Sequence, residues 1–199
     1  MEIDLTKLTP SVRHLNDMRE VLCDKDFAKN SPDMELYYMY RGIEKKGGVR
    51  YDITVIPAKM LGSEFVKTVG HYHPGKYGEV YIVLEGEAIY LMQKRSTEDE
   101  NAIEDCYAVK AKKGDVIIIP SFYGHSTINP SKTQELKMAN WASDNFKSDY
   151  SLYKKLQGAC YYYTEQGWIK NENYKSVSEL RFEEPLKSVP EDLSFLKSA

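Results

Sequence analysis

Several features are scarce in this sequence, and each scarcity excludes something. The longest apolar runs, "VYIVL" (residues 80–84) and "VIII" (116–119), are short. A membrane-spanning helix needs roughly 18 such residues. Lys and Arg (27) do not exceed Asp and Glu (30), so the formal charge is −3. Neither nucleic acid nor an anionic membrane is therefore expected as the main partner. Cysteine occurs three times, at Cys23, Cys106 and Cys160, and never as CxxC. An odd, scattered set gives no disulfide framework and points to a reducing, cytoplasmic setting. The opening "MEIDLTKLTP" is acidic from its second residue and lacks the apolar stretch of a secretory signal, which agrees with that setting. Neither GxxxxGK[ST] nor GxGxxG occurs, so no Gly-rich phosphate loop is present.

Tyrosine, by contrast, is abundant, with sixteen copies against six phenylalanines. It buries a ring while keeping a hydroxyl for hydrogen bonding, which suits sheet edges and half-wet pockets. A length of 199 residues suits a single domain with decorations. Residues 12–29 carry Val12, Leu15, Met18, Val21 and Leu22 near helical spacing after Pro10 and Ser11, which predicts an N-terminal helix. From Met34 the pattern turns to strands. "MELYYMYRGI" and "VRYDITVIP", joined around "KKGG", predict a hairpin. Then follow "EFVKTVGHYH", "EVYIVLEG", "EAIYLMQK", a charged connection over residues 95–105, "CYAVKA", "GDVIIIP", "GHSTINP" and "QELKMANWA". Many short strands with no helix-sized segment between them predict an all-β jelly-roll barrel, with its core over residues 34–150. The rest, 151–199, reads as a peripheral C-terminal extension that adds a hairpin and ends in frayed residues.

The stretch "GHYHPGKYGEVY" (residues 70–81) concentrates the chemistry. The chain has only four histidines, and His71 and His73 sit one residue apart, followed by Glu79. In a strand, residues i and i+2 share a face, so two imidazoles would point the same way. A third, His125, lies in "GDVIIIPSFYGHSTIN", five residues after Pro120 and four before Asn129. Three imidazoles and one carboxylate suit Fe²⁺, Mn²⁺, Ni²⁺ or Zn²⁺ better than cations that prefer all-oxygen sites. Four protein ligands on an octahedral ion leave two positions open, a catalytic rather than a structural arrangement. His14, in the expected helix, is read as solvated or packing.

These motifs resemble the two cupin motifs, the first carried by His71, His73, Glu79 and Gly86, the second by Gly114, Pro120, His125 and Asn129. Within the cupins the chain is similar to the cupin-type glucose-6-phosphate isomerase family. "SVRHLNDM" (11–18), "YDITVIPAKMLGSEFVKTVGHYHP" (51–74), "EVYIVLEGEAIYLMQ" (79–93) and "DVIIIPSFYGHSTIN" (115–129) carry the likeness. The resemblance implies one divalent metal per subunit, with Fe²⁺ the first choice, held by His71, His73, Glu79 and His125. It places Thr54, Thr68, Gly70 and Tyr150 near a sugar phosphate and Tyr81 near the sugar hydroxyls, with Tyr37 and Tyr40 around the pocket. It also implies a homodimer. Three departures stand out. The spacer "PGKYG" between His73 and Glu79 is short, Phe122 stands where many cupins have glycine, and "KSDY" offers Lys147, expected to neutralise the phosphate as a point charge, where a histidine is frequent.

The expected reaction is interconversion of glucose 6-phosphate and fructose 6-phosphate. Glu79 is the obvious base by position, yet a metal-bound carboxylate is a weak one. It serves only by leaving the metal or through a free second oxygen; a hydride shift needs no base. Two other readings stay open: an iron-dependent cupin dioxygenase, whose pocket should be apolar, and a non-catalytic phosphosugar-binding cupin.

Overall fold

The computed structural model describes residues 3–145 and 147–197. The strands in chain order are β1 (Ser11–His14), β2 (Glu35–Lys46), β3 (Val49–Ile56), β4 (Met60–Leu61), β5 (Glu64–Phe65), β6 (Glu79–Glu85), β7 (Glu87–Arg95), β8 (Ala102–Lys112), β9 (Val116–Ile119), β10 (Tyr123–Ile128) and β11 (Leu136–Ser143). A six-stranded sheet runs β1-β2-β3-β11-β6-β9, and a second sheet runs through β10-β7-β8. The main core lies between them, where Tyr81, Val83 and Met138 of the first sheet meet Tyr90, Met92, Tyr107 and Val109 of the second. Several strands are buried on both faces rather than alternating, with residues 88–93 of β7 and 124–128 of β10 buried throughout. The architecture is a jelly-roll barrel, as expected.

The N-terminal region differs from expectation. Residues 12–29 do not form one helix. β1 pairs antiparallel with β2, short 3₁₀ turns follow at Leu15–Asp17 and Arg19–Val21, and α1 covers only Lys25–Asn30. Leu15, Met18 and Val21 are three apart and fully buried. That is the period of a 3₁₀ turn, not of the 3.6-residue helix. Carboxylates reinforce the choice. Asp17 accepts from the His14 amide (3.0 Å), Asp33 from the Asn16 amide (2.9 Å), and Asp24 caps α1 through the Phe27 amide (2.8 Å). Each satisfies a backbone donor that a continuous helix would have used itself.

"EFVKTVGHYH" is likewise not a regular strand. Only Glu64–Phe65 belongs to a ladder; beyond it, Lys67, His71 and Tyr72 make isolated bridges to Ile128, His125 and Asp149. Gly70, at φ +83, interrupts the run. The charged connection shortens to the turn between β7 and β8, because Ala102 already pairs in a sheet.

Beyond the barrel come α2 (Ser151–Lys155), the hairpin β12 (Tyr161–Thr164) and β13 (Gly167–Lys170), then β14 (Ser176–Val177) and β15 (Arg181–Glu183), both parallel to β8. This extension lies outside the barrel and also buttresses it. Buried Gln93 on β7 donates to the hydroxyls of Tyr72 and Tyr174 (3.0 Å each) and accepts from the Cys160 amide (2.8 Å). The expected frayed end, Ser198 and Ala199, lies outside the described residues. No helix among the described residues is long and apolar enough to cross a membrane.

Candidate metal centre and its pocket

His71 and His125 exchange backbone hydrogen bonds in both directions, at 3.1 and 3.0 Å. Such a pair stands side by side, so the two rings meet with centroids 4.5 Å apart. Alternation then turns Tyr72 away, against the Tyr153 ring at 5.7 Å, and brings His73 back to the side of His71, at 5.1 Å. The spacer after it is tied down by the Gly78 amide, which donates to the Phe195 carbonyl (2.8 Å), and by Ser121, which donates to the Lys76 carbonyl (2.8 Å). β6 therefore starts with Glu79 facing the imidazoles. Its Oε2 lies 3.2 Å from His73 Nε2 and 3.4 Å from His125 Nε2. One donor atom from each of His71, His73, Glu79 and His125 falls within 4.8 Å of all the others.

The protonation states suit a cation. Burial pushes the pKa of His71 and His125 well below 6.5, and neighbouring imidazoles add to this, so both rings are neutral near pH 7. Burial raises the Glu79 carboxyl, but the hydrogen bond with His73, the surrounding imidazoles and Arg50 outweigh it; the pKa ends lowered and the group is ionised. Lone pairs on nitrogen and one negative oxygen are the donor chemistry a divalent transition metal takes. Tyr81, two residues beyond Glu79 on the same face, sets its hydroxyl 3.3 Å from His125 Nε2. Burial, then the Glu79 charge, raises its pKa well above 10, so it keeps its proton.

The cluster lies in a pocket of about 620 Å³, counting the space open at its mouth. Two strands build most of one wall by strict alternation: Tyr37, Met39 and Arg41 from β2, and Arg50, Asp52 and Thr54 from β3. Thr68, Gly70, Ser148 and Tyr150 line it as well, and Met138 and Asn140 come from β11. Most of the residues expected near substrate thus lie together, but two do not. Tyr40 is three residues from Tyr37, an odd number, so the strand turns it to the outer face, where it packs with Ile53, Val55 and Tyr38. Lys147 is exposed and does not line the pocket. The cations that do line it are Arg41 and Arg50. Arg50 is held by Asp52 (2.8 Å), whose other oxygen accepts from the amide of Gly42 in a bulge of β2 (2.7 Å). Arg13 of β1 stands behind the wall, its guanidinium 5.8 Å from the Tyr150 ring centre. None of these arginines, nor Asp52 and Asn140, was found from the sequence. The signal was present for three of them, Arg41, Arg50 and Asp52: once Thr54 and Tyr37 point inward, positions two and four away on each strand do too. Asn140 and Arg13 needed the cross-strand registers.

A jelly-roll barrel with three histidines and a glutamate converging in its pocket defines a cupin with a metal-competent centre. The family model described as glucose-6-phosphate isomerase matches residues 12–179, most of the chain. The chain belongs to the glucose-6-phosphate isomerase family. It is 27% identical over 140 residues to the glucose-6-phosphate isomerase of Pyrococcus furiosus, covering 67% of this chain and 70% of that one. The same enzyme from Thermococcus onnurineus is 27% identical over 138 residues, covering 67% and 69%. Among solved structures, an oxalate decarboxylase–formate complex from Lactobacillus farciminis superposes with a TM-score of 0.50 at 18% identity, over 76% of this chain and 36% of that one. That likeness concerns the fold alone.

Proposed function

We propose that this protein interconverts glucose 6-phosphate and fructose 6-phosphate with a divalent metal held by His71, His73, Glu79 and His125, Fe²⁺ being the first choice. The observation that carries the reading is the convergence of those four side chains in a pocket that also holds two guanidinium groups and several hydroxyls. An aldose–ketose isomerisation moves a hydrogen between C1 and C2 while charge shifts between their oxygens. When bound, the metal supplies Lewis acidity to those two oxygens.

The protein's own groups do the rest. Tyr81 keeps its proton and offers a hydroxyl beside the reacting carbons. Thr54, Thr68, the Gly70 backbone and Tyr150 hold the phosphate end, and Tyr37 packs beside them. Arg41 and Arg50 balance a dianion. With the metal at +2, Glu79 and Asp52 at −1 each and the two arginines at +1 each, the pocket carries about +2, the complement of a phosphate near neutral pH. Remote binding of this kind fixes the sugar carbons at the metal, where orientation lowers the barrier. Two arginines and several hydroxyls favour a phosphosugar over a wholly apolar dioxygenase substrate, beside the apolar contacts that Met39, Val69 and Met138 supply.

The test is conversion of fructose 6-phosphate by purified protein, treated with EDTA and then given back Fe²⁺ or Mn²⁺. Turnover that EDTA abolishes and metal restores supports the proposal. No turnover with any metal, in folded protein that still binds metal, overturns it. The homodimer expected from the family likeness is tested by light scattering on the same sample.

A further inference from the structure

Glu79 has two oxygens, and the structure gives them different partners. Oε2 faces His73 and His125. Oε1 accepts a hydrogen bond of 2.5 Å from the side-chain amide of Asn140. Asn140 lies on β11, a strand flanked on both sides, with Asp52 of β3 and Tyr81 of β6 as its cross-strand neighbours. It is 5% exposed, and so has little freedom to move aside. A buried amide donor aimed at one carboxylate oxygen fixes the rotation of the whole group, and groups so placed behind ligands tune metal sites strongly.

We propose that Asn140 is a positioning residue for the metal centre: by occupying Oε1 it turns Oε2 toward the imidazoles and commits Glu79 to the role of ligand. This goes beyond the isomerase reading and rests only on the cluster binding a metal. It also bears on the chemistry. The second oxygen of Glu79 already accepts from Asn140, which makes it a weaker base than a free carboxylate oxygen.

The readout is metal binding, without substrate. Metal-free protein is titrated calorimetrically with Mn²⁺, and the absorption bands of the Co²⁺-loaded form are recorded. Asn140→Ala is expected to weaken Mn²⁺ binding by about 10–100-fold and to shift the Co²⁺ bands. The decisive comparison is a double-mutant cycle. In a Glu79→Ala background, where three histidines still bind metal, Asn140→Ala should change affinity by less than about twofold, because its target is gone. Equal losses in both backgrounds, or no loss in either, overturn the proposal. Melting of each variant in EDTA checks the fold, and Asn140→Leu, which fills the space without a donor, replaces Asn140→Ala if that variant does not fold. Because no turnover is measured, failure here is separate from failure of the isomerase reading.

Discussion

The Tyr153 ring lies directly beneath Gly70, so close that a Cβ built on that glycine would sit 2.2 Å from Tyr153 Cε1. Gly70 also has φ +83, a conformation that residues with a side chain avoid. Gly70→Ala therefore combines left-handed strain with overpacking, and about 2–4 kcal/mol of destabilisation is expected. Urea denaturation measures it. Because His71 follows directly, weaker Mn²⁺ binding should accompany the loss, and an unchanged midpoint would show that this contact relaxes freely.

In metal-free protein the buried histidines make stability depend on pH. Their folded pKa lies well below the 6.5 of a free imidazole, so below pH 6.5 the unfolded chain binds more protons than the folded one. The contribution is intact above 6.5 and is lost as pH falls toward the folded pKa. Stability in metal-free protein is therefore expected to fall as pH drops below 6.5, with His71 and His125 both contributing in the same direction. Urea titrations in EDTA at pH 7.5, 6.5 and 5.5 read this directly; a flat profile would contradict the assigned protonation states.

Arg41 contributes charge to the pocket with little structural duty, its recorded hydrogen bond running to the Met39 sulfur at 3.2 Å. Arg41→Ala is expected to raise KM for fructose 6-phosphate about tenfold or more, with stability changed by less than about 0.5 kcal/mol. Lys147→Ala and Tyr40→Phe are the controls, and both should leave KM within about twofold. A large effect of Lys147→Ala would mean that the phosphate lies outside the wall described above.

Phe122 occupies φ +71 with its ring 51% exposed. A non-glycine residue there is strained by about 1–2 kcal/mol, only part of which glycine returns as extra freedom of the unfolded chain. Phe122→Gly should thus stabilise the protein by about 0.5–1 kcal/mol in urea denaturation. Destabilisation would mean that the ring packs to a benefit larger than the strain.

Which of these features could be read from the sequence follows from their physics. The candidate metal cluster was legible because HxH, a glutamate and a distant histidine form a rare combination of donor types, and the hairpin of β2 and β3 because alternation and paired glycines are local signals. The helix expected over 12–29 failed because spacing by threes was taken for spacing by 3.6, while the competing partners Met34 and Asp33 lie far along the chain. Tyr40 failed by parity: an aromatic cluster on a strand cannot present all its members to one side. Asn140 and Arg13 were invisible for another reason, since what matters about them is which residue stands across the sheet.

Gln93 joins Tyr72, which sits between the two metal-site histidines, to Tyr174 and the Cys160 amide, about a hundred residues further on. During synthesis the chain leaves the ribosome N-terminus first, at about 5–20 residues per second. The nascent barrel can therefore close its two sheets seconds before the groups that brace its histidines exist. A chain ending at Ser143 carries β1–β11 and all four side chains of the candidate metal cluster, yet lacks Tyr174 and Cys160, whose contacts with Gln93 brace Tyr72 between two of them.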